Sequence, residues 1–258
     1  MSEDGTRIRT EVIDGNILLI RINRPEARNA FDGAAAREME AALDRLDATP
    51  ELFAGIIYGE GGNFSAGADL KAIARGEACG TERRGGFGIF KKSSNKPLFA
   101  AVEGFAVGGG MELCLACDLV IAAQTARFGL PEVRHNTVAI GGGVLRLQRR
   151  IPHHIAMEMA LTGEPREAAF LERWGLVNRL CPEGTALETA LEWARKILRG
   201  GPMALSATKE IISASPYWGE QESWDKQAEI MQRVLESEDL KEGLAAFAEK
   251  RKPVWRGR

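Results

Sequence analysis

Two glutamates and two glycine turns hold the residue types in this chain best suited to chemistry: Glu112, Glu132, Ser65-Ala-Gly67-Ala68 and Val107-Gly-Gly-Gly110. Glu112 sits two places beyond the glycine triplet in the apolar run GFAVGGGMELCLACD, residues 104–118. A carboxylate among Val, Met, Leu and Cys is costly to bury, and consecutive glycines weaken any regular element. Glu132 follows Leu130-Pro131. Paired carboxylates suit proton transfer at a carbon next to a carbonyl. One takes a proton from water while the other gives one to carbon, or one shuttles both. Bare backbone at glycine turns offers N–H groups to an oxygen that becomes negative, and one such donor is worth about 3–4 kcal/mol to a reaction.

Other chemistries find less support. There is no G-x-S-x-G nucleophile turn. Gly62-Asn-Phe-Ser-Ala-Gly67 has phosphate-loop spacing but continues Ala68-Asp69, where an acid would repel phosphate. No G-x-G-x-x-G follows a strand. His135, His153 and His154 lack ligand spacing, so no metal site is expected. Cys114-Leu-Ala-Cys117 has no second pair and apolar flanks, and reads as small core residues of a helix. Cys79 and Cys181 complete no disulfide framework. Taken singly, each acid has an ordinary account: Glu112 as a helix-dipole partner, Glu132 as a loop acid, Asp69 as the N-cap of Leu70-Lys-Ala-Ile. Their joint position is what argues for a site.

The elements that would position them are short apolar runs alternating with helical segments. Residues 17–22 (ILLIRI), 54–58 (AGIIY), 98–102 (LFAAV) and 119–123 (LVIAA) read as strands. From Asp32, a plausible N-cap, Ala35, Met39, Ala42, Leu43 and Leu46 recur at helical spacing. The glycine triplet opens another helix, and Gly141-Gly-Gly143 a further one. This pattern is that of parallel α/β units. The loops after such strands gather at one end of the sheet, which brings 63–69, 104–112 and 124–132 to one rim. Arg75 to Gly88 reads as a loop or a mobile helical segment, placed as a lid beside the site. Beyond about residue 145 the strands are expected to stop, leaving five or six helices over 150–250. No internal repeat is apparent. The domain reading is a core at 1–195 and a C-terminal helical region at 196–258.

The bounds fit a soluble chain. It has 258 residues, a formal net charge of −2 and 27% charged residues. That balance gives no reason to bind nucleic acid or an anionic membrane. The N-terminal stretch has no apolar run longer than Ile17–Ile20. The expectation is therefore a cytoplasmic protein with no leader and no membrane span. Arg83-Arg84, Lys91-Lys92 and Arg146-Leu-Gln-Arg-Arg150 are the basic clusters, read as solvated faces or contacts to phosphate.

Phe64-Ser-Ala-Gly-Ala-Asp-Leu70, Gly104-Phe-Ala-Val-Gly-Gly-Gly-Met-Glu-Leu113, Cys117-Asp118 and Phe128-Gly-Leu-Pro-Glu132 resemble the crotonase, or enoyl-CoA hydratase/isomerase, family. The resemblance continues through Arg24-Pro25, Leu161-Thr-Gly163, Trp174-Gly-Leu-Val-Asn178 and Phe247-Ala-Glu-Lys-Arg-Lys-Pro253. It implies an α/β fold with a ββα spiral core and a C-terminal helical trimerisation region, assembled as a homotrimer or a dimer of trimers. It implies that the N–H groups of Ala68 and Gly109 form an oxyanion hole for a thioester carbonyl. Glu132 would deliver a proton to the α-carbon and Glu112 would activate water for the β-carbon. Ala27, Ala66, Asp69, Leu70 and Lys71 fall where the family touches CoA, and Phe247 and Lys250 on a helix that reaches a neighbouring subunit's CoA. No cofactor is implied, since CoA is part of the substrate.

The implied activity is enoyl-CoA hydration. Alternatives are double-bond isomerisation, which Glu132 alone could serve, and, outside enzymes, RNA binding. Two departures from the hydratase pattern stand out. Ile140 replaces a glycine that borders the water, and Arg134-His135 replaces an apolar pair. A charge near the acyl pocket would imply a polar or charged acyl group, the alternative being that Arg134 points to solvent. The tail and the run Gly143-Val-Leu-Arg146-Leu also resemble the branch containing carnitinyl-CoA dehydratase, whose acyl group is a quaternary ammonium.

Overall fold

A computed structural model describes residues 5–258, so the first four residues of the stretch read as lacking a leader lie outside the described residues. The chain runs β1 (Ile8–Ile13), β2 (Ile17–Ile22), α1 (Gly33–Ala48), β3 (Ala54–Gly59), α2 (Leu70–Ala74) and a hairpin of β4 (Gly80–Thr81) and β5 (Gly85–Gly86). Then come β6 (Leu98–Val102), β7 (Phe105–Val107), α3 (Gly109–Ala116), β8 (Leu119–Ala123) and β9 (Arg127–Gly129). Next are α4 (Gly143–Arg150), α5 (His153–Thr162), β10 (Arg166–Glu167), α6 (Ala168–Arg173), β11 (Arg179–Cys181) and α7 (Ala186–Ile197). The chain closes with α8 (Pro202–Ala214), α9 (Glu220–Leu235) and α10 (Glu238–Glu249).

The large sheet has the order β1-β2-β3-β6-β8-β11. From β2 to β11 every pair is parallel, and β1 is antiparallel to β2. The parallel strands are mostly apolar because both faces are covered. Ile17, Leu19, Ile56, Phe99 and Ile121 pack with Ala186, Ala190 and Ala194 of α7. Leu18, Ile20, Ile57, Ala100 and Val120 share the larger core with α1 and α3. In α1, Asp32 accepts from Ala35 N–H at 2.8 Å as N-cap, and the predicted Met39, Leu43 and Leu46 are fully buried.

The ββα spiral is visible in the second, small sheet. β6 is followed by the short strand β7 and then α3, and β8 is followed by the short strand β9. β7 and β9 pair in parallel. Ser65 forms a parallel bridge to Ala106, which supplies the same short step after β3. Each turn of the spiral thus adds one strand to the large sheet and one step to the small one, before a helix or helical turn. The C-terminal tail folds back on α10, where Asp239 accepts from the N–H groups of Arg256 and Gly257 at 2.7 and 2.9 Å.

Two expectations are corrected. Strands do not stop near residue 145, because β11 extends the large sheet beside β8 and β10 pairs with β9. Three residues and two residues are too short to show a period-two pattern. The stretch 75–88 is not helical either. It forms the β4–β5 hairpin, which Arg84 anchors to α1 through Asp44 and Asp47 at 2.8 Å each.

Candidate active site

The two glycine turns, 65–68 and 107–110, lie against each other. Phe31 N–H donates to Gly67 O, and Asp69 N–H donates to Phe31 O, both at 2.8 Å. That parallel bridge turns the N–H of the intervening Ala68 away from Phe31. Gly67 has φ +93°, and a Cβ on it would stand 3.0 Å from Gly109 N and from Val107 O, so the two turns touch. Gly108, at φ 56° and ψ −129°, breaks the chain from β7 into α3, and its N–H is bonded to Gly129 O at 2.9 Å. Gly109 is the first residue of the helix, where an N–H has no intrahelical acceptor. Neither the Ala68 N–H nor the Gly109 N–H has a partner among the described residues. Two bare donors from two loops, one at the positive end of a helix, face a common space.

The carboxylates differ in how they are held. Glu112, in the first turn of α3, is 5% exposed. Its Oε1 accepts from Gly143 N–H at 2.8 Å. A Cβ on Gly141 would stand 2.6 Å from Glu112 Oε2 and one on Gly143 2.9 Å from Oε1, so glycine is required for the carboxylate to lie on this backbone. Burial pushes the Glu112 carboxyl up, and the Glu132 charge adds to this, while the Gly143 and Gly141 N–H groups and Arg146 oppose it.

Glu132 lies in the helical turn Pro131–His135 directly after β9. A Cβ on Gly108 would be 3.3 Å from its Oε1, which sets this carboxylate against the oxyanion turn. Its Oε2 is buried without a hydrogen-bond partner among the described residues. Burial raises this carboxyl too, partly opposed by its own N–H and by His135.

Two aromatic rings wall the space between these groups, and the sequence analysis did not single them out. Phe87 stacks on Phe31 with ring centroids 4.2 Å apart, and Phe90 lies 4.8 Å from Phe87. Phe87 covers Gly109, and Phe90 covers Gly141 beside the Glu112 carboxylate. Phe87 takes the left-handed φ of +54°, unusual for a bulky residue. The available signal was a pair of phenylalanines three apart in the glycine-rich GGFGIF.

The other predicted positions fall into two groups. Ala27, Ala66, Asp69, Leu70 and Lys71 gather around the oxyanion turn: Ala66 N–H donates to Arg28 O at 2.9 Å, and Leu70 and Lys71 are exposed at the start of α2. Asp69 caps α2 through the N–H groups of Lys71 and Ala72 and pairs with Arg24 at 2.9 Å. Phe247 and Lys250 stand at the end of α10, which packs on α9, and Phe247 is 86% exposed.

Three readings of single residues are corrected. Arg134 does not charge the acyl pocket, since its Nε donates to Thr162 O at the end of α5 at 3.0 Å. Ile140 is 89% exposed, and Gly141 and Gly143 rather than Ile140 border Glu112. Within the basic clusters, Arg84 and Arg146 are anchors bonded to the fold rather than solvated residues. Among the described residues no group of three or more His, Cys, Asp or Glu could hold a metal, and no helix is long and apolar enough to cross a membrane.

The model of the enoyl-CoA hydratase/isomerase family matches residues 12–258, and the chain belongs to that family. A carnitinyl-CoA dehydratase of Salmonella typhi is 42% identical over 95% of this chain and 97% of its own. The crystal structure of a probable enoyl-CoA hydratase/isomerase from Mycobacterium abscessus is 51% identical, covering 98% of this chain and all of its own, with a TM-score of 0.95. An enoyl-CoA hydratase from Mycobacterium tuberculosis H37Rv superimposes with the same score and coverage at 48% identity.

Proposed function

We propose that the protein hydrates 2-enoyl-CoA thioesters, and dehydrates the products in reverse, with Glu112 as base and Glu132 as acid. The observation that carries this reading is the contrast between the carboxylates. Glu112 accepts backbone N–H bonds that favour its ionised form, whereas Glu132 has a buried oxygen with no donor. A pair whose surroundings separate them in this way divides the work of acid and base.

The thioester oxygen accepts from Ala68 N–H and Gly109 N–H. Glu112 takes a proton from water as the oxygen bonds to the β-carbon. The π electrons move toward the carbonyl, and negative charge grows on the thioester oxygen. The two N–H donors meet that charge where it develops, which lowers the barrier without tightening the ground state equally. Glu132 then gives its proton to the α-carbon. The scheme calls for no resident cofactor, since CoA enters with the substrate. Isomerisation would need one carboxylate, and the holding of Glu112 by the Gly143 N–H favours the two-carboxylate reaction.

A second reading concerns the acyl group. Phe87 and Phe90, beside two carboxylates, form a lining that suits a quaternary ammonium. This favours crotonobetainyl-CoA as a substrate, in keeping with the name carried by the 42% identical relative. The deciding experiment follows loss of the conjugated thioester absorbance with crotonyl-CoA and crotonobetainyl-CoA side by side. Turnover of crotonyl-CoA supports a general hydratase, and turnover of crotonobetainyl-CoA alone supports the carnitine branch. Inactivity on both, or full activity of Glu132→Gln, overturns the hydration scheme. We further propose a homotrimer, or a pair of trimers, as the working assembly.

A further inference from the structure

Arg146 opens the basic run 146–150, which the scheme above does not use. It rises from the first turn of α4 and folds back over the turn that opens the helix. Its Nη1 donates to Gly141 O at 3.0 Å, and its Nη2 donates to Phe90 O. No carboxylate among the described residues lies within ion-pair distance of it. A half-buried guanidinium spent on two carbonyls is an unusual use of a charge, because a neutral donor could make the same bonds without desolvating a cation.

The two carbonyls explain that use. One belongs to the residue whose ring covers Gly141 and the Glu112 carboxylate. The other belongs to the glycine turn whose Gly143 N–H holds Glu112 and whose Gly141 lies against its Oε2. Both segments are irregular and reach the site from different parts of the chain, one after the β4–β5 hairpin and the other before α4. A planar fork with fixed donors can set the separation of two such segments, which a flexible ammonium cannot.

We propose that Arg146 is a positioning residue for Glu112: it clamps the Gly141–Gly143 turn, whose Gly143 N–H holds the carboxylate, to the Phe90 segment. The charged groups facing Glu112 are Glu132 from the turn after β9 and Arg146 from α4, while the Phe90 segment and the glycine turn present a ring and N–H groups. Glu132 and burial push the Glu112 carboxyl up, and Arg146 opposes them. Removing Arg146 therefore moves Glu112 titration to higher pH, and with it the acid limb of any reaction that uses the ionised carboxylate. That kinetic consequence rests on the hydratase reading, whereas the clamp itself does not.

The test compares Arg146→Met and Arg146→Lys with the wild type in the full-length protein. Glu112 titration is followed by 13C NMR of carboxyl-labelled glutamate, with Glu112→Gln identifying the resonance. The pH profiles of kcat and kcat/KM on the active thioester are measured beside it. For Arg146→Met the expected result is a Glu112 titration and acid limb displaced upward, and kcat at pH 7 lower by roughly 10–100-fold with KM within about threefold. Arg146→Lys keeps a cation and loses the fork, so its titration stays near wild type while kcat falls by roughly tenfold. A folded Arg146→Met with unchanged Glu112 titration overturns the proposal. If Arg146→Met does not fold, an Arg146→Lys enzyme with wild-type kcat overturns the clamp. A wild type inactive on every enoyl-CoA would remove the hydratase reading and leave the NMR titration to decide on Arg146.

Discussion

At the scale of single residues, two carboxylates in one site are held at a cost that only function explains. Both carboxyls are raised by burial. A carboxyl raised in the folded state binds its proton more tightly there than in the unfolded chain. Its contribution to stability is full below the unfolded value of about 4.3 and is lost as pH rises toward the folded value. Glu132→Gln removes a buried carboxylate with an unpaired oxygen, and a group of that kind costs about 1–3 kcal/mol. The variant is expected to melt about 2–6 °C higher than wild type at pH 8. The difference should shrink toward zero below pH 4, where wild type is protonated as well. Calorimetry at the two pH values checks this, and a gain that persists at low pH would assign it to packing instead of charge. The same variant, and Glu112→Gln, should lose about 10²–10⁴-fold in kcat for hydration.

At the scale of elements, the site is made by turns that only the spiral brings together. Gly141 shows how narrow the tolerance is. A Cβ there would stand 2.4 Å from the Phe90 ring and 2.6 Å from Glu112 Oε2. Gly141→Ala is expected to fold and to lose roughly 10²-fold in kcat through displacement of Glu112 by a fraction of an ångström. A wild-type kcat in that variant would show that the glycine turn does not hold the carboxylate. Phe90→Ala should open the space beyond the β-carbon and move preference toward longer acyl groups by about tenfold per pair of methylenes, read as a ratio of kcat/KM values.

Much of this was legible in the sequence. The four strands that form the middle of the large sheet are mostly apolar runs, and Asp32 and Asp69 announce their helices as caps. The turns carrying Ala68, Gly109, Glu112 and Glu132 follow from the rule that loops after parallel strands share a rim. The short strands β7, β9, β10 and β11 were not legible, because two or three residues carry no periodicity and are fixed by their neighbours. Phe87, Phe90, Arg84 and Arg146 were hidden for a related reason. Their roles depend on distant partners, Phe31 for Phe87, Gly141 for Phe90, Asp44 and Asp47 for Arg84 and Phe90 for Arg146, and neither a phenylalanine in a glycine-rich stretch nor an arginine in a basic run declares what it will touch.

At the scale of the whole molecule, one chain leaves apolar surface that water does not favour. On α10, Leu244 is 63% and Phe247 86% exposed, and Val254 in the tail is 69% exposed. Fully covering a phenylalanine side chain is worth about 1.5–3 kcal/mol, so a surface that repeats such residues at a helix end gains by meeting another chain. The family resemblance assigns that helix to a neighbouring subunit's CoA, and Lys250 stands one turn beyond Phe247 with a charge suited to phosphate. If the assembly is a trimer or a pair of trimers, sedimentation at micromolar concentration should give three or six times 28.1 kDa. Phe247→Asp would then lower the assembly mass or raise KM for the thioester by about tenfold or more, while kcat at saturation, governed by Glu112 and Glu132, stays within about threefold. A fully active monomer would break the link between α10 and the site and confine CoA recognition to the Ala27, Ala66 and Lys71 surface of the same chain.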